Sequence, residues 1–350
     1  MPLMTQLREL FPSKWSLFIF IAYMALFINQ GLLVTATKKE DNSYSYNSVT
    51  VVLLAEVTKL FMSSLIYLQE HKWRVQDLLE DICTHRRALL YYTVPAGLYC
   101  VYNILTFTNL AAFDPTTYFL LLQLRVVVTG VTFQVLFKKK LTSRQWLSLL
   151  LLTVGCIIKQ LNTGPASASS SDWLRGIFSF NIIPILVQVF CSCFAGVYNE
   201  YLLKHQAVEV HIMLQNMFLY VDSIVAATLA LWLRGQLGTA LTGEALRSIL
   251  HPAVLAIVLN NACIGIVTCF FLHSLNSILK TFASALELMF TAVLCWLIFG
   301  IPVYLNTVVA IAVVSVAICV YSQQPVRNPP ATAVHTAPNP EQAQSLVQQI

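Results

Sequence analysis

Ten long apolar runs with short polar breaks between them set the pattern of this chain: Trp15–Val34, Val49–Leu68, Ala88–Ala111, Thr116–Phe137, Trp146–Leu161, Gly176–Leu203, Ile212–Leu233, Val254–His273, Leu279–Phe299 and Val303–Tyr321. A helix that crosses the hydrocarbon core of a bilayer takes roughly 20 mostly apolar residues. In lipid each backbone amide has to be paired inside the protein, so the runs predict helices rather than open strands. The expected class is therefore an all-α integral membrane protein of about ten transmembrane helices. The tail from Gln323 is rich in Pro, Ala and Gln, lacks periodicity and reads as disordered.

Composition agrees. Hydrophobic residues make up 57% of the 350 and charged residues 11%, against about 25% charged in an ordinary soluble domain. No soluble core of this length hides so much apolar surface, whereas lipid solvates it directly. No small-residue cleavage site clearly follows the first run, which reads as a retained helix rather than a removed signal peptide. The nine cysteines fall mostly inside apolar runs, and the Cys191, Cys193 spacing matches neither a metal site nor a redox motif. All seven histidines sit in breaks, at run ends or in the tail. That leaves no constellation for a metal, a cofactor or a membrane-embedded enzyme.

The net charge is +5, and its placement matters more than its size. With the N-terminus cytosolic, that side holds Arg8, Lys14, Lys72, Arg74, Arg86, Arg87, Lys138, Lys139, Lys140, Arg144, Lys204 and Arg327, twelve in all. The other side holds five: Lys38, Lys39, Arg175, Arg234 and Arg247. Basic residues collect on the cytosolic side, so both termini are expected there. The charge thus reports topology and gives no reason to invoke nucleic acid.

Ten helices divide into two repeats of five, and an odd number inverts the second repeat in the membrane. The expected units are a cytosolic N-terminus (1–14), a first five-helix repeat (15–162), a luminal serine-rich linker (163–175), a second repeat (176–322) and a disordered cytosolic tail (323–350). The fourth run opens after Asp114-Pro115 and carries Arg125; the ninth opens after Asn276-Ser277 and carries Lys280. Each half thus has one cation in its fourth helix.

A charge at membrane depth costs about 2.5–3.5 kcal/mol or more unless it has a partner or a wet cavity. Arg125 is expected mid-span, on one face with Tyr118 by their seven-residue spacing. Lys280 has Ser277 and Ser284 on its own face at i−3 and i+4. Cations converging from the two halves suit phosphate oxygens, Arg bidentately; the alternative is that each is a structural cation. Tyr99 with Asn103, and Asn216 with Tyr220, offer an aromatic face plus an amide to a base, or else serve as helix–helix glue. Glu56 with Lys59, and Glu200 with Lys204, read as structural ion pairs. Glu287 is the natural partner for a buried cation.

Several of these residues lie in runs that resemble the nucleotide-sugar transporters. The likeness is carried by Ala55-Glu-Val-Thr-Lys59, Pro95-Ala-Gly-Leu-Tyr-Cys-Val-Tyr-Asn103, Asp114-Pro-Thr-Thr-Tyr118, Leu122-Gln-Leu-Arg125, Phe194-Ala-Gly-Val-Tyr-Asn-Glu-Tyr-Leu-Leu-Lys204, Leu214-Gln-Asn216 and Asn276-Ser-Ile-Leu-Lys280. The resemblance implies a drug/metabolite-transporter fold in the Golgi membrane, the endoplasmic reticulum being the alternative. It further implies exchange of a cytosolic UDP-sugar, UDP-galactose for preference, against luminal UMP. Homo- or hetero-oligomers with glycosyltransferases or related transporters are compatible with it. Substrate contacts would fall on Tyr99, Asn103, Tyr118, Arg125, Asn216 and Lys280. Two departures stand out: the family usually has Lys where Arg125 stands, and commonly a second Asn where Tyr102 stands. The competing readings are a non-transporting scaffold or chaperone of the same fold, and a carrier of another phosphorylated metabolite.

Overall fold

A computed structural model describes residues 10–11, 13–37, 46–112, 118, 121–160, 182–205, 210–235, 237–240, 242–300 and 304–326. Every regular element described is a helix. Ten form the body: α1 Lys14–Ala36, α2 Ser48–Glu70, α3 Arg86–Ala112, α4 Arg125–Phe137, α5 Ser143–Gln160, α6 Ile182–His205, α7 Ile212–Leu233, α8 Pro252–Ser274, α9 Ser277–Phe299 and α10 Leu305–Gln323. Eight of them are long and apolar enough to cross a bilayer; the other two are α4, apolar but only 13 residues long, and the 18-residue α5. The serine-rich linker and the tail beyond Val326 lie outside the described residues, as does most of the N-terminus before Lys14.

Local sequence sets several boundaries. Ser13 starts α1, its hydroxyl accepting from the Ser16 amide at 3.0 Å. Asn276 caps α9 by accepting from Leu279 N at 2.8 Å, and α9 ends at Gly300 with φ +68. The fourth run differs from its expected course. Rather than one helix over Thr116–Phe137, the described part turns at Gln123-Leu124, and α4 begins at Arg125. Tight bonds mark the break, Leu124 N to Leu121 O and Val126 N to Gln123 O, both 3.1 Å. Arg125 therefore opens a helix rather than sitting in the middle of one. The polar stretch between α2 and α3 also holds a short helix, Val75–Thr84, tied to α2 where the Tyr67 hydroxyl donates to Asp81.

The helices pair in a repeating scheme. α3 packs on α6 and α7, as α8 packs on α1 and α2; α4 packs on α6, as α9 packs on α1; α4 meets α5, as α9 meets α10. The pairs α2–α7, α4–α9 and α5–α10 map onto themselves when every number shifts by five. The α6–α8 contact is the main departure, α1 and α3 having none of comparable extent. This is the pairing expected of two five-helix repeats. Close approach of α5 and α10 depends on Gly155, where a Cβ would stand 2.8 Å from Val314 Cγ2.

Polarity is reversed relative to a soluble protein. Phe61, Leu90 and Val135 are more than half exposed on the outside, while Ser63, Gln188, Glu200 and Gln215 are fully buried. Lipid solvates the first group; the second must find partners, or a ligand, within the bundle.

Candidate substrate site

Two adjoining cavities lie in the interior. The larger, about 520 Å³, lies between α2, α3, α7 and α8, with Asn199 of α6 and Lys280 of α9 in its wall. That volume is within the range of small-molecule sites, about 300–1,000 Å³. Along α7 its wall runs from Asn216 to Arg234, roughly 27 Å of helix. The smaller, about 180 Å³, includes Gln123, Arg125, Ser192, Ser277 and Ser284. Tyr99 and Lys280 line both.

Charge within this space is uneven. Glu56 and Lys59, one turn apart on α2, pair at 2.7 Å, and the Lys59 ammonium lies 5.8 Å over the Tyr220 ring. Gly265 of α8 makes room for both: a Cβ there would stand 2.7 Å from the Tyr220 hydroxyl and 2.8 Å from Lys59 Cδ. This pair neutralises itself, as its spacing predicts. Arg125 and Lys280 lie within electrostatic reach of each other, and neither forms an ion pair among the described residues. Glu287, the expected partner, feels Arg125 and Lys159 only at longer range. Arg125 and Lys280 thus border one cavity without a paired carboxylate among the described residues, Glu200 and Glu287 acting on them only from farther off.

The structure brings most of the expected polar residues to these walls. Tyr99, Asn103, Asn216 and Tyr220 line the larger cavity. Ser284 lines the smaller one, its hydroxyl 3.5 Å from that of Tyr23. Ser277 borders the same space, but its amide and hydroxyl both go to Glu200. Tyr118, expected beside Arg125, lines neither cavity. It is buried in a network in which Gln188 Nε2 donates to the Tyr118 and Thr106 hydroxyls, each at 2.8 Å, and Gln188 Oε1 accepts from Asn109 at 2.6 Å. Asn199 is the wall residue the sequence did not flag. A single Asn between Tyr198 and Glu200 carries no spacing signal, and only the packing of α6 against α3 and α8 turns it inward.

At the end of the bundle away from Arg234, α6, α8 and α9 are tied together. The Glu200 carboxylate accepts from Lys204 at 2.6 Å and from the Ser277 amide at 2.7 Å, while Lys204 also donates to the Leu275 carbonyl. A buried anion at the start of α9 and a cation at the end of α8 complement both helix dipoles. Together they fasten the α8–α9 turn to α6. The Lys139 ammonium, in the turn beyond α4, is held below its ordinary pKa by burial and then by Lys204. Between α2 and α7, His211 Nε2 donates to Glu70 at 2.8 Å, and its Nδ1 accepts from Met213 N at 3.2 Å. One neutral tautomer serves both bonds.

Known proteins match this chain throughout. The family model described as nucleotide-sugar transporter matches residues 14–322. The UDP-galactose transporter senju of Drosophila melanogaster is 51% identical over 93% of this chain and 90% of its own. CMP-sialic acid transporter 2 of Arabidopsis thaliana is 31% identical, over 80% of this chain and 69% of its own. A crystal structure of a protein 11% identical shares the fold, with a TM-score of 0.58 over 89% of this chain and 97% of its own.

Proposed function

This chain belongs to the nucleotide-sugar transporter family, and from that premise we propose that it exchanges cytosolic UDP-galactose for luminal UMP across the Golgi membrane. One observation carries the reading. Arg125 and Lys280 border the interior cavities with no carboxylate paired to either among the described residues. Desolvated cations without counter-anions call for an anionic ligand. A diphosphate supplies it, held bidentately by the guanidinium and as a point charge by the ammonium. Tyr99, Tyr220, Asn103 and Asn216 line the same space and suit a nucleoside. The preference for uridine and galactose draws on the senju likeness.

Exchange follows from the electrostatics. The end away from Arg234 carries the larger share of basic residues and is assigned to the cytosol, which puts Arg234 on the luminal side, where UMP is taken up. An empty site leaves the two cations opposed without a counter-anion, which disfavours an unloaded return. Net flux should then be slow beside exchange. Tyr118 and Ser277, engaged with Gln188 and Glu200, support the site from behind rather than touch the cargo.

The test is uptake into vesicles reconstituted with the purified protein and preloaded with UMP, CMP, GMP or nothing. UDP-galactose uptake dependent on internal UMP is expected. Absence of uptake under every preload would leave a scaffold of the same fold as the better account.

A further inference from the structure

We propose that two copies of this chain meet in the membrane along the outer seam of α3 and α7, each Asp222 hydrogen-bonded to its counterpart beside the two-fold axis. Asp222 is the eleventh of the 22 residues of α7, which puts it near mid-membrane. It borders neither interior cavity. At 3.6 residues per turn it lies about 100–120° round the helix from the cavity-lining Ser223 and Asn216. Its own side is that of the exposed Val221, Val225 and Leu229. The Thr93 hydroxyl of α3, itself exposed, donates to it at 3.3 Å.

A carboxyl at that depth is costly unless something answers it. Inside the bundle, Glu56 and Glu200 pair with lysines, and Glu287 feels Arg125 and Lys159. No cation pairs with Asp222 among the described residues. A second observation lies beside it. Gly97, one turn on from Thr93, is open: a Cβ there would meet nothing within 4 Å. Packing within the described chain therefore gives no reason for glycine at this point. Thr93 and Gly97 share a face with the exposed Leu90, Val94 and Val101. Small residues four apart on a lipid-facing helix let a neighbouring helix come close.

A second copy fits what this seam offers. Chains inserted in the same direction in one bilayer can be related by a two-fold axis along the membrane normal, and residues near that axis face their own copies. Asp222 then meets Asp222 at the same depth by symmetry alone. A neutral carboxyl carries one O–H donor and one carbonyl acceptor, so it is complementary to itself. Two of them close a reciprocal pair, with a Thr93 hydroxyl behind each.

The test is association of the purified full-length protein in liposomes, read by energy transfer between two dye-labelled populations as the protein-to-lipid ratio is varied. The wild type should dimerise. Asp222→Val should weaken the dimer about five- to thirty-fold, whereas Asp222→Asn, whose amide also carries a donor and an acceptor, should stay within about two-fold of wild type. Gly97→Leu, which adds bulk only to the outer face, should weaken it at least about five-fold. A wild type that is monomeric at every ratio overturns the proposal, as does an Asp222→Val dimer as tight as the wild type. Asp222→Asn falling together with Asp222→Val would mean that a charged carboxylate is required; the seam would then suit a cationic helix of another protein, and the proposal would fail. Should Asp222→Val misfold, Gly97→Leu decides, and an undiminished dimer in that variant overturns the proposal.

Discussion

Replacing Glu200 with alanine should loosen the junction of α6, α8 and α9. The carboxylate is fully buried and accepts from the Ser277 amide at 2.7 Å, the Ser277 hydroxyl and Lys204 at 2.6 Å. Without it, the Lys204 side chain, 11% exposed, keeps the Leu275 carbonyl but no anion. Removing one partner of a buried pair costs about 3–5 kcal/mol, because a charge is left uncompensated. At about 1.4 °C per kcal/mol for a chain of this length, the apparent Tm in detergent should fall by roughly 5 °C. Fluorescence-detected size-exclusion after heating reads this directly. Adding Lys204→Met removes the stranded charge and should restore at least about half of the loss, a double-mutant coupling that adjacent groups show and distant ones do not. A single variant within about 2 °C of wild type, or strict additivity in the double, would refute the reasoning.

Three further outcomes follow from the site. Arg125→Lys should keep a measurable fraction of UDP-galactose uptake and Arg125→Ala almost none, since charge survives in the first while the bidentate geometry goes; equal losses would deny the guanidinium a role of its own. Glu56→Gln should reduce folded yield more than uptake per folded molecule, because Lys59, 13% exposed, loses its anion at membrane depth; an abundant, well-folded but inactive protein would make Glu56 part of the transport step. Gly265→Ala should weaken UMP binding about ten-fold by forcing Tyr220 and Lys59 apart, and an unchanged Kd by calorimetry would show that the two side chains move aside freely.

Much of this architecture is legible in the sequence because the bilayer imposes a simple rule. Long apolar runs have to be helices, and the ten helices fall close to the runs. Short-range spacing carried the ion pairs as well: Glu56 with Lys59 and Glu200 with Lys204 meet at i+3 and i+4. Tyr99 with Asn103, and Asn216 with Tyr220, share cavity-facing sides of α3 and α7 for the same reason. The fourth run shows where that reasoning ends. The seven-residue spacing of Tyr118 and Arg125 puts them on one face only of an unbroken helix, and the turn at Gln123-Leu124 cuts that register. Nothing in an apolar run announces such a break. Asn199 and the Gln188 network depend on which helices meet, and so does the distance of Glu287 from the cations. Helix pairing is a tertiary fact that one-dimensional patterning does not carry.

Exchange by this site requires Arg125 and Lys280 to hold the phosphate that UMP and UDP-galactose share. The direct measurement is the affinity of UMP for purified wild type, Arg125→Ala and Lys280→Ala, each shown to be monodisperse and folded. Loss of a charged hydrogen-bond partner is worth about 1.5–3 kcal/mol, so each alanine variant should bind UMP roughly 10- to 150-fold more weakly, with UDP-galactose weakened in parallel. Wild-type affinity for UMP in both folded variants would mean that the two cations are structural, and would contradict the clamp.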